Sequence, residues 1–183
     1  KILNSNCDYY WPVIDLKLWN YDSGGKAWHK IRNMVKNLYK KNNIRIEPAA
    51  KISKENLKKI VYEWKSNRNG TDMAYYKHYI NLIDNDFKGV DYASSILVNS
   101  EPCAIAAGWK IPNTNSFYLS IMLHNYKVRG MGELMYIEIL RHLKNTGIEM
   151  VDMGGSEKNL LAFKEKFKPN YIYRTYNFSL VKA

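Results

Sequence analysis

The loop from Lys127 to Gly132 has the residue types of an anion-binding site. It reads Lys-Val-Arg-Gly-Met-Gly, so two cationic side chains accompany two glycines. The strand-like run Phe117–Leu123 leads into the loop, and an apolar segment with helical spacing follows it. Amide groups at a helix start attract anions, and glycine lets the backbone approach a phosphate closely. We therefore predict the donor-binding site of an acyltransferase, formed by Lys127, Val128, Arg129, Gly130, Met131 and Gly132.

Two side chains near this loop have the chemistry of a general base. Acyl transfer to an amine requires a group that removes a proton from the nucleophile and donors that stabilise the oxyanion. His124 ends the strand before the loop, and its ordinary pKa suits proton transfer near neutral pH. Asp152 ends the next predicted parallel strand and is an unusual residue in so apolar a segment. Each residue also fits a structural hydrogen-bonding role, so both stay candidates.

The sequence lacks the patterns of other catalytic classes. It contains no HExxH-like metal motif and no SxxK-like nucleophile motif, so metal-assisted and covalent mechanisms have no support. Cys7 and Cys103 have no CxxC spacing, which favours a reducing compartment without structural zinc. No apolar run reaches the roughly 18 residues of a membrane span. We expect a cytoplasmic protein with no bound metal.

Positive charge is concentrated in one segment. The formal net charge is +11, and the segment from Lys26 to Arg68 alone holds 13 basic and 3 acidic residues. This asymmetry indicates a polyanionic partner, which is RNA, an anionic membrane surface or a phosphorylated co-substrate; a merely solvated basic face is the alternative. The side chains that we expect to contact RNA lie on one predicted helix and are Lys30, Arg32, Lys36 and Lys40.

Hydrophobic periodicity predicts a mixed α/β protein in which helices pack on a central mixed β-sheet. Apolar residues at helical spacing indicate a helix from about Lys26 to Lys41, a second helix capped by Ser53 and a third from about Asp72 to Ile83. Residues 1–25 mix aromatic side chains with Pro12, so this stretch offers only a short candidate strand.

From Tyr92 onward the pattern changes to that of strands. Three antiparallel strands come first, and a crossover helix follows the glycine loop. The apolar run 148–153 predicts a buried parallel strand, and Tyr171–Leu180 predicts an alternating final strand after a short helix. We assign residues 1–50 to an N-terminal segment with a basic amphipathic helix and residues 51–183 to the main domain.

This order of elements, with a glycine loop between the third hairpin strand and the crossover helix, resembles the GNAT superfamily of N-acyltransferases. The donor signature of that family is Gln or Arg, two residues, Gly, one residue, then Gly or Ala. Here Lys127 stands in the first place, which keeps the positive charge but changes its geometry. The resemblance implies that the loop amides hold a CoA pyrophosphate. It also implies that the end of the preceding strand, at Met122 and Leu123, splays to orient the acyl group.

Two further segments resemble one branch of the superfamily. Met153-Gly-Gly-Ser-Glu and the later Leu161-Ala-Phe-Lys-Glu-Lys-Phe are similar to the closing segment of phosphatidylglycerol lysyltransferase C-terminal domains and Fem-type peptidyltransferases. The basic helix around Lys30 is similar to the helix that precedes the domain in that branch. The resemblance implies an aminoacyl-tRNA donor and a lipid or peptide acceptor. We therefore expect transfer to an amine or hydroxyl of a lipid, a peptide or a small molecule. Full-length relatives usually carry two GNAT-like domains and this chain starts at Lys1, so we expect a fragment without its N-terminal domain.

The same resemblance brings Lys164 to the position where ordinary GNAT enzymes often have a tyrosine that protonates the departing thiol. A lysine there stabilises an oxyanion or neutralises a departing tRNA ribose oxygen, and it is a poor acid for a thiolate unless burial lowers its pKa. Lys164 therefore favours an aminoacyl-ester donor. An acyl-CoA-dependent enzyme is the first alternative. The second is a non-catalytic module that binds RNA or, peripherally, an anionic membrane. Neither co-substrate is expected to stay permanently bound.

Overall fold

Seven strands form one mixed sheet in the computed structural model, which describes residues 7–23, 25–67 and 76–177. The strands, numbered in chain order, are β1 (Cys7–Asp15), β2 (Ile44–Pro48), β3 (Tyr92–Val98), β4 (Glu101–Lys110), β5 (Ser116–His124), β6 (Met150–Asp152) and β7 (Tyr171–Asn177). Their order across the sheet is β2-β3-β4-β5-β6-β1-β7. All neighbouring strands are antiparallel except β5 and β6, which are parallel and joined by a crossover helix.

Helices cover both faces of this sheet, which confirms the predicted mixed α/β class. They are α1 (His29–Lys41), α2 (Lys54–Ser66), α3 (Lys77–Asp84), α4 (Met131–Asn145) and α5 (Lys158–Lys164). Short 3-10 turns flank three of them, at Gly25–Trp28, Ala49–Lys51 and Glu165–Phe167. One buried cluster joins α1 and α4 to the sheet, and a second cluster joins α2 and α3 to the opposite face.

The first two helices form where their apolar spacing predicts them. In α1 the buried stripe is Ile31, Val35 and Leu38. In α2 the Ser53 hydroxyl accepts a hydrogen bond from the Asn56 amide at 3.3 Å, which satisfies one unpaired donor of the helix start. The third helix, predicted from about Asp72 to Ile83, is α3 at Lys77–Asp84. Residues 68–75, which include the start of the predicted helix, lie outside the described part of the chain.

The N-terminal strand is longer than its sequence predicts. β1 has nine residues and lies inside the sheet, between β6 and β7, with Val13 paired to both Asp152 and Tyr171. Pro12 is tolerated there because its carbonyl accepts from the Met153 amide, just past the end of β6. The N–H that Pro12 lacks would point to the same side, toward Met153, whose carbonyl oxygen accepts from Lys164 instead. Segment 1–50 therefore contributes β1 and β2 to the same sheet as segment 51–183.

A gap opens in the sheet because β5 and β6 pair over only three residues. Pairing runs from Ser116 to Tyr118, after which β5 continues alone to His124. A bulge starts the divergence: Leu119 and Ile121 pair with successive residues of β4, so Ser120 is left without a partner on that strand. The bend carries the end of β5 away from β6.

Candidate functional site

A cavity of about 460 Å³ lies where β5 and β6 separate. Trp64 of α2 and Tyr79 of α3 line it from one face of the sheet, and Tyr136 of α4 and Lys164 of α5 line it from the other. Trp11 of β1 closes one side. The cavity therefore passes through the sheet, and a substrate inside it contacts elements of both layers.

Lys164 is the cation of this cavity. Its side chain is only 3% exposed, and its Nζ donates to the carbonyl oxygens of Met153 at 2.5 Å and Gly154 at 2.9 Å. Burial lowers the pKa of Lys164 to about 7, while the charge of Asp152 acts in the opposite direction. An ammonium has three N–H groups, so one remains available to a substrate. Near neutral pH the group is able both to donate and to accept a proton.

Asp152 is held rigidly beside it. The residue is 8% exposed, its Oδ1 accepts from the Gly154 amide at 2.8 Å, and its Oδ2 accepts from the Tyr173 hydroxyl at 2.6 Å. Gly154 therefore connects the two charged groups, since its N–H binds Asp152 and its carbonyl binds Lys164. Burial, reinforced by the Asp152 carboxylate, raises the pKa of the Tyr173 and Tyr118 hydroxyls, which stay protonated.

An aromatic wall stands next to this pair. The Trp11 ring stacks on Tyr173 with centroids 5.7 Å apart, and its indole N–H donates to Thr175 at 2.7 Å. A Cβ on Gly155 would lie 3.1 Å from the Trp11 ring, so this glycine allows the ring to pack against the backbone. Trp11 and Tyr173 are not among the site residues predicted from the sequence. The alternating aromatics of the first and last strands were a signal, but only the pairing of β1 with β7 brings them together.

His124 does not join Asp152 and Lys164. Tyr118 pairs with Asp152, and His124 lies six residues further along β5, which corresponds to about 20 Å of strand. Burial lowers the pKa of His124, although Glu133 raises it, and its Nδ1 has no hydrogen-bond partner within the described part of the chain. The structure therefore brings together two of the three predicted catalytic residues and places the third beside the loop 127–132 (the donor loop).

The donor loop packs against two helices. Gly130 has a φ of +86°, and a Cβ on it would lie 2.7 Å from Met34 of α1. A Cβ on Gly132 would lie 3.0 Å from the Phe163 ring and 3.1 Å from the His124 ring. Side chains thus cover the first turn of α4, where the resemblance implies a CoA pyrophosphate.

The positive end of the α4 helix dipole already has a carboxylate beside it. Glu133, in the first turn of α4, is largely buried and accepts a hydrogen bond from Lys166 at 2.9 Å. A second anion there would meet a carboxylate that already occupies the favourable end of the helix dipole. The first turn of α4 is therefore a poor fit for a pyrophosphate.

The four predicted RNA-binding residues are divided between two sides of α1. Lys30 lines a groove of about 930 Å³ between α1 and the donor loop, together with Lys41, which sequence analysis did not select. Lys36 and Lys40 are exposed and lie away from this groove. Arg32 donates to the carbonyl oxygens of Tyr21 and Gly25, at 2.9 and 2.6 Å. That guanidinium thus stabilises a turn in the N-terminal segment.

Other site classes find no counterpart in the described residues. No cluster of three or more His, Cys, Asp or Glu side chains there is suited to hold a metal ion. None of the helices described has the length and apolar character needed to cross a membrane. Cys103 is buried, and burial raises the pKa of its thiol, which disfavours the reactive thiolate; the Cys7 side chain lies outside the described part.

The lowered pKa of Lys164 predicts a pH-dependent stability. Because the folded-state value of about 7 lies below the ordinary 10.5, the unfolded chain binds this proton more tightly. The free energy of unfolding should gain roughly 1.4 kcal/mol at most per pH unit from this group between pH 7 and 10. Urea unfolding across that range measures the free energy of unfolding. It should rise with pH more steeply in wild type than in Lys164→Met, and the two slopes should differ by this amount. The exposed-lysine variant Lys158→Met should keep the wild-type slope, and an equal slope in all three proteins contradicts the assignment.

Comparison with known proteins places this geometry in context. The family model described as "Phosphatidylglycerol lysyltransferase, C-terminal" matches residues 3–178. The structure of L-PGS from Bacillus licheniformis is 15% identical, with a TM-score of 0.68 over 97% of this chain and 60% of that one. The chain thus spans about three-fifths of that relative. Comparison with the curated proteins found no significant match.

Acetyltransferase structures share the same fold. A GCN5-related glucosamine N-acetyltransferase region of a fungal multi-domain β-N-acetylglucosaminidase has a TM-score of 0.56 and 14% identity over 94% of this chain and 21% of that one. An aminoglycoside acetyltransferase from an uncultured soil metagenomic sample has a TM-score of 0.54 and 12% identity over 81% and 99%. These likenesses confirm the GNAT-like fold predicted from the order of elements. The family match covers almost the whole chain, and the chain belongs to the family of phosphatidylglycerol lysyltransferase C-terminal domains.

Proposed function

We propose that this domain transfers an aminoacyl group from an aminoacyl-tRNA to an amine or hydroxyl group, with a lipid such as phosphatidylglycerol as the acceptor. The family points to a transferase and to a lipid acceptor. The observation that carries the choice of donor is Lys164, a buried lysine with a pKa of about 7 on the wall of the cavity between β5 and β6.

The proton balance of the reaction suits this lysine. The acceptor must lose a proton as its nucleophilic atom attacks the ester carbonyl, and the departing ribose oxygen must gain one. Lys164 as the neutral amine takes the first proton, and as the ammonium it donates a proton to the leaving oxygen. Between these steps its positive charge stabilises the tetrahedral oxyanion. An alkoxide leaving group gains more from such an acid than a thiolate does, which favours an ester donor over a thioester.

The neighbouring groups position this lysine. The carbonyl oxygens of Met153 and Gly154 accept hydrogen bonds from two N–H groups of Lys164. The backbone that follows β6 therefore fixes the direction of the third N–H group. Asp152 raises the pKa of Lys164 against the effect of burial, and Tyr173 holds that carboxylate in place. In this proposal Asp152 and Tyr173 are positioning residues, and the aromatic wall of Trp11 excludes water.

An acyl-CoA-dependent reaction is the second candidate, because the loop keeps both signature glycines and acetyltransferases share the fold. The two are separated by supplying the 183-residue chain with radiolabelled lysyl-tRNA and phosphatidylglycerol vesicles, or with acetyl-CoA and amine acceptors. We expect labelled lipid in the first reaction. Transfer from acetyl-CoA alone, or strong thermal stabilisation by micromolar acetyl-CoA, would overturn the tRNA donor. Absence of transfer from both donors would favour a non-catalytic module that binds RNA or an anionic membrane.

A further inference from the structure

A basic groove runs between α1 and the donor loop, outside the catalytic cavity. It has a volume of about 930 Å³, and four cationic side chains line it, from both of its walls. Lys30 and Lys41 come from α1, and Lys127 and Arg129 come from the loop. Among the described lining residues the one acidic side chain is Glu101, so the groove carries a clear positive excess.

The remaining lining of the groove suits a nucleoside as well as a phosphate. Three asparagine side chains offer amide donors and acceptors, and four apolar side chains provide a surface for a base. These residues are Asn37, Asn42, Asn99, Met34, Leu38, Val98 and Val128. Methionine is adaptable in shape and accommodates flat ring systems. A site made of cations, amides and an apolar floor matches a phosphorylated nucleoside better than it matches inorganic phosphate alone.

The geometry of the loop directs a donor toward this groove. Phe163 and His124 cover Gly132 at the first turn of α4, and Glu133 there is already paired with Lys166. On its other side, the loop rests on Met34 through Gly130. The two cationic loop side chains also line the α1 side. A ligand therefore reaches the cationic side chains of the loop from the groove, whereas side chains close the first turn of α4.

We infer that a phosphorylated nucleoside of the acyl donor, remote from its acyl group, binds in this groove, with α1 as its second wall, and not on the first turn of α4. The inference rests on the proposed acyltransferase function, because that function supplies such a ligand. Both candidate donors carry this chemistry, since phosphorylated cytidines precede the acylated terminal adenosine of tRNA and CoA has a phosphorylated adenosine at the end opposite its thiol. The groove residues Lys30 and Lys41 then contact phosphates, and Asn37 lies between them on the same side of α1.

Two matched double variants of α1 test this assignment. Lys30→Gln with Lys41→Gln removes both groove cations of the helix, and Lys36→Gln with Lys40→Gln removes the same charge from outside the groove. Fluorescence anisotropy measures the Kd of a labelled hairpin RNA ending in CCA, and parallel titrations use CoA. We expect the groove variant to raise the Kd of one of these probes at least tenfold and the control variant to change it less than threefold.

Salt dependence provides a second readout. If the probe is RNA, loss of two phosphate contacts should reduce the slope of log Kd against log salt by about 1.5 in the groove variant alone. If the groove takes CoA, the RNA titrations of both variants stay near wild type and the CoA titration shows the loss. Equal weakening by both variants indicates general electrostatic attraction and overturns the groove assignment. The assignment is also overturned if both probes bind as in wild type and only binding to phosphatidylglycerol vesicles is lost.

The transfer reaction separates this inference from the proposed function. In the groove variant, KM for the donor should rise while kcat stays unchanged, because the catalytic cavity and Lys164 are untouched. If neither donor supports transfer in the wild-type chain, the proposed function fails, but the anisotropy comparison still decides where the nucleotide binds. If transfer occurs and the two variants have the same KM, the function stands and the groove assignment is wrong.

Discussion

Replacing Lys164 with methionine is expected to lower the rate of acyl transfer by about 10²–10⁴-fold, the usual contribution of a general acid–base group. Methionine keeps much of the apolar stem but has no proton to exchange and no charge for the oxyanion. The measurement is the single-turnover rate of transfer from lysyl-tRNA. The rate of the wild-type enzyme should also change with pH near 7, where Lys164 changes protonation state, and this inflection should be absent from the variant.

Two further substitutions separate the charge of this residue from its proton transfer. Lys164→Arg retains a positive charge but does not release its proton near neutral pH, so it should restore oxyanion stabilisation without proton transfer. We expect its rate to lie between those of wild type and Lys164→Met and to show no inflection near pH 7. Lys158→Met, on the exposed start of α5, should leave both rate and pH profile unchanged. A folded Lys164→Met variant with the wild-type rate would remove this residue from the mechanism.

Gly108→Ala is expected to destabilise the fold by about 3 kcal/mol or more. A Cβ at this position of β4 would lie 2.1 Å from the Tyr118 carbonyl oxygen and 2.6 Å from a Phe117 ring carbon. Backbone atoms cannot rotate away as a flexible side chain can, so β4 and β5 must move apart. Overpacking of this kind commonly costs about 1–3 kcal/mol and more where backbone is involved. Urea unfolding measured by circular dichroism gives the loss directly.

The control for this variant is Gly147→Ala, where the added Cβ meets nothing within 4 Å. Its φ of +81° still makes alanine unfavourable, by roughly 1–2 kcal/mol. Gly108 has no positive φ, so its loss arises from the contacts with Tyr118 and Phe117 and should exceed the loss in this control. Because Gly108 pairs with Leu119, beside the bulge, its replacement should also shift the bulge and change the shape of the cavity between β5 and β6. A loss no greater than that of the control would show that the sheet adapts easily.

Regular apolar spacing made most elements predictable from sequence. The buried stripes of α1 and α2 and the three antiparallel strands after Tyr92 have strong local signals, which do not depend on the rest of the chain. β1 lacked such a signal because Pro12 normally argues against a strand inside a sheet. Pro12 lies opposite Met153, just past the end of β6, and this distant partner cannot be deduced from the residues near Pro12.

Site residues were predictable from the sequence where their role follows from their position in a single strand or helix. Asp152 was selected as a polar residue ending an apolar strand, and Lys164 through the family resemblance, and the structure brings these two together. His124 was grouped with them because strand ends were assumed to lie side by side. The bulge at Ser120 and the short pairing of β5 with β6 separate them, and neither feature has a clear sequence signal.

The position of β1 between β6 and β7 sets the order in which the molecule is able to fold. The hydrogen bond from Trp11 to Thr175 joins residues 164 positions apart, so β1 cannot pair with β7 until Thr175 has been synthesised. Closing so long a loop is entropically costly, and contacts of this kind slow folding. The β2–β5 meander and its helices have more local contacts and are able to form first. We therefore expect Trp11, which lines the cavity, to be among the last parts to dock, so that the cavity is complete only when folding ends.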